Sequence, residues 1–144
     1  MGKEILVAVD ESDHAAKALD FAVENFPDAS ITALHVIDTA DIYRATGIED
    51  GAIVNYEELR KGQEKRAEEL LETIAAKANE SGLDIATDHL IGHVAKSIVS
   101  YADTHDSDQI VIGSRGRTGA KRLLLGSVAE NVARRAEIPV TIVR

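Results

Sequence analysis

Ile5-Leu6-Val7-Ala8-Val9 is an unbroken run of five apolar residues that ends at Asp10. A strand with one wet face alternates apolar and polar side chains, so a run without a polar position must be covered on both faces. Strands of parallel sheets are covered in that way. Further apolar strands are read at Ile31–Ile37, at Ile110-Val111-Ile112 and, opened by Pro139, at Val140–Val143; Asp84–Ile91, with Ile85, Leu90 and Ile91, is another. Segments of helical period separate them. Ala15, Ala18, Leu19, Ala22 and Val23 follow Ser12 or Asp13, either of which can cap a helix, and the pattern stops before Pro27. A long helix is predicted from about Tyr56 to Ser81, with Leu59, Ala67, Leu70, Leu71, Ile74, Ala75 and Ala78 as its buried stripe and Gly82 as its left-handed terminator. Two more helices are expected, His93–Thr104 and one starting after Gly126. The order β-α-β-α-β-α-β-α-β predicts one α/β domain over residues 1–144, a five-stranded parallel sheet with helices on both faces and right-handed crossovers.

Asp38–Val54 has no clear period. It is expected to be a long connection without secondary structure, serving as a lid. In sheets of this class ligands bind at the carboxyl ends of the strands, where the strand order reverses. The end of the first strand (Val9, Asp10) and of the fourth (Gly113) should flank that crevice.

The stretch Gln109–Val128, QIVIGSRGRTGAKRLLLGSV, is a strand, a glycine-rich loop and a helix start. Glycines let backbone N–H groups approach a phosphate closely, and a helix N-terminus adds free donors and partial positive charge. The charges agree. No Asp or Glu lies between Gln109 and Ala129, although the chain has 25 of them, and the same window holds Arg115, Arg117, Lys121 and Arg122. A Walker A loop does not fit, because Gly119 is followed by Ala120 and Lys121 by Arg122; a dinucleotide G-x-G-x-x-G is absent too.

Other chemistries find little support. The absence of cysteine removes disulfides, thiol catalysis and thiolate metal sites. His14, His89, His93 and His105 are scattered, and none pairs at metal-ligand spacing, so no protein-built metal site is expected. Ser12, Ser114 and Ser127 have no evident base and no G-x-S-x-G elbow, so no catalytic residue is assigned. A formal charge of −9 argues against nucleic acid or an anionic membrane as partner. No bilayer-length apolar stretch or signal peptide is present, so a cytoplasmic protein is expected. Asp10 can accept from a ribose hydroxyl or an adenine amine, or can serve as a turn or cap residue. Val36 can line an adenine pocket, with its backbone reading the base edge, or be plain core, and His35 is read as structural.

The spacing Gly113-x2-Gly116-x9-Gly126-Ser127 resembles the ATP-binding signature of the universal stress protein (UspA-like) family. So do the Asp of VAVDESDHA, the His-Val of LHVID and the closing PVTIV strand, so that the likeness spans the chain. The resemblance implies a Rossmann-like fold of the adenine nucleotide alpha hydrolase type. It implies that Val9, Asp10 and Val36 meet the adenosine, and that Gly113 and Gly116, with Ser114 and Arg115 between them, lie near ribose and phosphates. Gly126, Ser127 and Val128 would meet the phosphates. ATP would be the ligand, with ADP or AMP as further possibilities, and Mg2+ or Mn2+ would be held largely by the phosphates. The family further implies a stress-response regulatory module with slow or no hydrolysis. It also implies a homodimer paired through Val140–Val143, an apolar strand expected at a sheet edge, where unpaired backbone invites association. Two alternatives stand beside this reading. One is an adenylate-chemistry enzyme on the same fold, whose HIGH or S-G-G-x-D-S motifs are absent from VDESDHA; the other is an interaction protein that binds no nucleotide.

Overall fold

The computed structural model describes residues 2–45, 47–49, 52–114 and 125–144. Five strands form one parallel sheet: β1 (Glu4–Ala8), β2 (Ser30–Asp38), β5 (Ala86–Gly92), β6 (Gln109–Gly113) and β7 (Val140–Val143). Their order across the sheet is β5-β2-β1-β6-β7, with β1 at the centre. The chain first builds outward from β1 through β2 to β5, then returns to the other side of β1 for β6 and β7. That reversal places the switch point between the ends of β1 and β6, which pair Leu6 with Ile110 and Ala8 with Ile112.

The period of two along each strand splits the core into two layers. Ile5 and Val7 of β1, and Val9 just past it, join Ile31, Ala33 and Val111 against α1 (Asp13–Asn25) and α3 (Tyr56–Glu80). Leu6 and Ala8 join Leu34, Val36, Ile110 and Ile112 against α4 (Val94–Thr104) and α5 (Ser127–Arg135). An unbroken apolar run is therefore what a strand between two helix layers requires. The helix faces toward the sheet are built from small residues, Ala15, Ala18 and Ala22 on α1 and Ala95 and Ala102 on α4, all buried. Small residues let the helix axes come close in a core that has few aromatic rings.

The helix ends follow local chemistry. Ser12 caps α1 by accepting from the Ala15 N–H at 3.4 Å. Gly82, at φ +80°, closes α3, with its N–H on the Asn79 carbonyl and that of Leu83 on the Ala78 carbonyl. His93, placed by its sequence pattern inside the next helix, is instead the cap of α4; its Nδ1 accepts from the Lys96 N–H at 3.4 Å.

The segment after β2 departs from expectation. In place of a connection without secondary structure it carries a seven-residue helix, α2 (Thr39–Ala45), and the strands β3 (Gly47–Glu49) and β4 (Ala52–Val54), paired antiparallel. The Asp38 carboxylate starts α2 by accepting from the Ala40 N–H at 2.9 Å. Ile42 of α2 is fully buried with Ile37 and Ala67 in a small third cluster. One anchoring side chain docks a helix this short, which leaves too little apolar period to read in the sequence. Thr39–Ala45 and Tyr56–Glu80 thus stand as a wall beside the carboxyl end of β2.

Candidate functional site

At the carboxyl end of β1 the pairing runs one residue past the strand, with the Val9 N–H on the Leu34 carbonyl at 2.9 Å. The chain then turns at Asp10. Its Oδ1 accepts from the Ser12 N–H at 2.8 Å and from the Ser12 hydroxyl. Asp10 therefore is a turn residue, as a short acid next to a serine tends to be. The two bonds leave Oδ2 without a partner among the described residues and fix the direction in which it points. Ser12 serves twice, donating its hydroxyl hydrogen to Asp10 and accepting from α1. Across the strand, His35 Nδ1 donates to the Val9 carbonyl at 2.8 Å, since a carbonyl can only accept. The bond ties down the strand end that carries Asp10, and His35 also lines the cavity described below.

Gly113 ends β6. A Cβ there would lie 2.7 Å from His14 Cβ and 2.8 Å from the His14 carbonyl oxygen. The first glycine of the G-x2-G-x9-G-S spacing thus has a packing cause, because it lets the first turn of α1 rest on the sheet. Ser114 is buried; its N–H donates to the Val143 carbonyl at 2.8 Å, and its carbonyl accepts from the Gly126 N–H at 2.5 Å. That last bond draws the two ends of the glycine-rich stretch together. Arg115 and Gly116 lie outside the described residues, as do Arg117, Lys121 and Arg122.

Gly126 is the cap of α5 at φ −65° and ψ 152°, an extended conformation open to any residue, and it makes no side-chain capping bond. Backbone angle therefore does not require glycine here. The first N–H groups of a helix have no acceptor within it, and those of α5 stand at the edge of the crevice.

These pieces enclose one cavity of about 280 Å³ at the switch point. Val9, Asp10, Val36, Gly113, Gly126, Ser127 and Val128 all line it, and Ser114 does not. Val36 is 7% exposed, so it is core and lining at once. The cavity also has walls that the sequence reading missed: Asp38, Asp41 and Arg44 beside the end of β2, and Gln63, Arg66 and Ala67 on α3. Charge is unevenly spread around it. Asp10, Glu11, Asp38 and Asp41 stand on the β1 and β2 side, whereas no acid occurs from Gln109 to Ala129. The two arginines of the wall are paired, Arg44 with Asp41 at 3.3 Å and Arg66 with Glu11 at 3.7 Å. Among the described residues no three or more His, Asp or Glu side chains group to hold a metal ion. No helix among them is long and apolar enough to cross a membrane.

A model of the universal stress protein family matches residues 1–144. Universal stress protein YxiE of Bacillus subtilis is 36% identical over the whole of both chains. Universal stress protein MJ0531 of Methanocaldococcus jannaschii is 34% identical across 99% of this chain and 82% of its own. The solved structure of protein MJ0577 superposes with a TM-score of 0.84 at 31% identity, covering 99% of this chain and 96% of that one.

Proposed function

The chain belongs to the universal stress protein family, and from that premise we propose that it is an ATP-binding regulatory module of the stress response that hydrolyses its ligand slowly or not at all. One observation carries the reading. A cavity at the strand-order reversal gathers Asp10 with an Oδ2 unpartnered among the described residues, the buried wall of Val36, the close-packed Gly113 and the N-terminus of α5 without a side-chain cap. The uneven charge gives the ligand a direction. A polyphosphate is repelled from the side bearing Asp10, Glu11, Asp38 and Asp41, and finds the N–H donors of Ser127 and Val128 and the positive end of a dipole where α5 begins after Gly126. The adenosine takes the other end, where Asp10 accepts from a hydroxyl or amine and Val36 covers the base. Magnesium or manganese would be carried by the phosphates. Arg115 and Gly116 complete the proposed phosphate side on the resemblance of the spacing alone. We further propose a homodimer. β7 is an edge of the sheet, and its Val140–Val143 row is only half-buried, with β6 paired on one side and no strand on the other among the described residues.

Release of co-purified nucleotide with identification by mass, followed by calorimetric titration with ATP, ADP, AMP and cyclic AMP, tests the ligand. Binding of ATP with magnesium is expected. Protein that carries no nucleotide and takes up none of the four would sink the proposal and leave a nucleotide-free interaction protein in its place.

A further inference from the structure

Along α3, residues four apart from Leu59 run Leu59, Gln63, Ala67, Leu71 and Ala75. Such residues share one helix face. Ala67 and Leu71 are buried, and Leu59 and Ala75 pack against the core clusters. Gln63 is the only polar member of the row. It is half-buried and lines the cavity, and its amide makes no hydrogen bond among the described residues. A half-exposed polar side chain in an apolar row gives up part of its hydration and gains no partner among the described residues in return. A position that breaks its own local pattern in this way marks a site.

The chemistry of the amide says what it can read. Gln offers one acceptor and two donors in a plane. Adenine presents a donor, N6–H, beside an acceptor, N7, and an amide can meet both together; guanine presents two acceptors, O6 and N7, on the same edge, and opposes the amide oxygen with another oxygen. The charged neighbours are less suited to the task. Arg66 is engaged with Glu11 and Arg44 with Asp41. We infer that Gln63 is the base-reading residue of this cavity, donating to N7 and accepting from N6–H of an adenine ring, an assignment that rests on the adenine-nucleotide reading above. It makes α3, and not only the glycine-rich stretch, the source of base selectivity.

The test uses the full chain and three probes: ATP, GTP and 7-deaza-ATP, in which a carbon replaces N7. Wild type should bind ATP about tenfold more tightly than 7-deaza-ATP and prefer ATP over GTP by a larger factor. Gln63→Leu should bind ATP about tenfold to a hundredfold more weakly, lose the difference between ATP and 7-deaza-ATP, and narrow its ATP-to-GTP ratio. Gln63→Glu keeps the shape and an acceptor but no donor, and should also lose the 7-deaza difference. Thermal melts of both variants should match wild type, since an apolar residue continues the row and Glu has the same volume. A Gln63→Leu protein that keeps the full difference between ATP and 7-deaza-ATP, or a wild type that shows none, overturns the assignment while leaving nucleotide binding intact. A wild type that binds no adenine nucleotide removes the reading on which it rests as well.

Discussion

Gly113 invites a substitution whose effect can be worked out from distances. In Gly113→Ala the new Cβ would sit 2.7 Å from His14 Cβ and 2.8 Å from the His14 carbonyl oxygen. Carbon atoms rest at roughly 3.5–4.0 Å, so about 1 Å must be found. Residue 113 cannot readily supply it, because β6 is paired with β1 on one side and β7 on the other. The backbone of His14 must move, and with it the first turn of α1, whose Ala15, Ala18 and Leu19 are buried against the sheet. Forcing extra volume into a packed interface of this kind costs about 1–3 kcal/mol. For a chain of this size the melting temperature falls about 3 °C for each kcal/mol, giving a loss of roughly 3–10 °C. Gly62→Ala is the matched control. It makes the same chemical change inside α3, where a Cβ meets nothing within 4 Å, so it should stabilise by about 0.5–1 kcal/mol. Scanning calorimetry on nucleotide-free protein reads both. A Gly113→Ala protein that melts within about 1 °C of wild type would show that this glycine is not needed for packing, and would return its whole cause to the ligand.

Four further outcomes are expected. Ser127→Ala removes one hydroxyl from a charged ligand and should weaken ATP by about tenfold to a hundredfold, while Gly126→Val, which fills the space before α5, should weaken it more; titration showing the reverse order would refute backbone cradling. Ser12→Ala should lower stability by about 0.5–2 kcal/mol through the lost cap and also weaken nucleotide, because Asp10 loses the hydroxyl that aims it; a melt that falls with affinity unchanged would separate Asp10 from the ligand. Burial, and next the hydrogen bond that its hydroxyl donates to Asp88 at 3.1 Å, pushes the Tyr101 phenol from 10.0 up to about 12. Its folded value lies above its unfolded one, so its contribution to stability is whole below about pH 10 and is lost as pH rises toward 12; phenolate absorbance compared between wild type and Tyr101→Phe should assign a late-titrating phenol to Tyr101, and a Tyr101 phenol titrating near 10 would contradict it. Light scattering should find a dimer, and a strictly monomeric species at high micromolar concentration in several salts would count against pairing through β7.

Patterns confined to a few neighbouring residues were legible in the chain itself. The apolar runs at Ile5–Val9 and Ile110–Ile112 announce strands covered on both faces, because no wet face tolerates them. Gly82 announces the end of α3, because its positive φ suits glycine. Alternation of strand and helix then leaves a parallel sheet as the outcome, and with it the switch point where Val9, Asp10 and Gly113 meet. The sequence could not reveal which residues arrive there from far along the chain. Gln63 and Arg66 enter the cavity because α3 crosses beside the end of β2, and Ile42 docks α2 into a cluster whose other members are Ile37 and Ala67. Nothing in the residues around Gly113 reveals that a helix begun a hundred positions earlier rests on it. Periodicity records which face of an element is buried, and only the crossover geometry decides what that face meets.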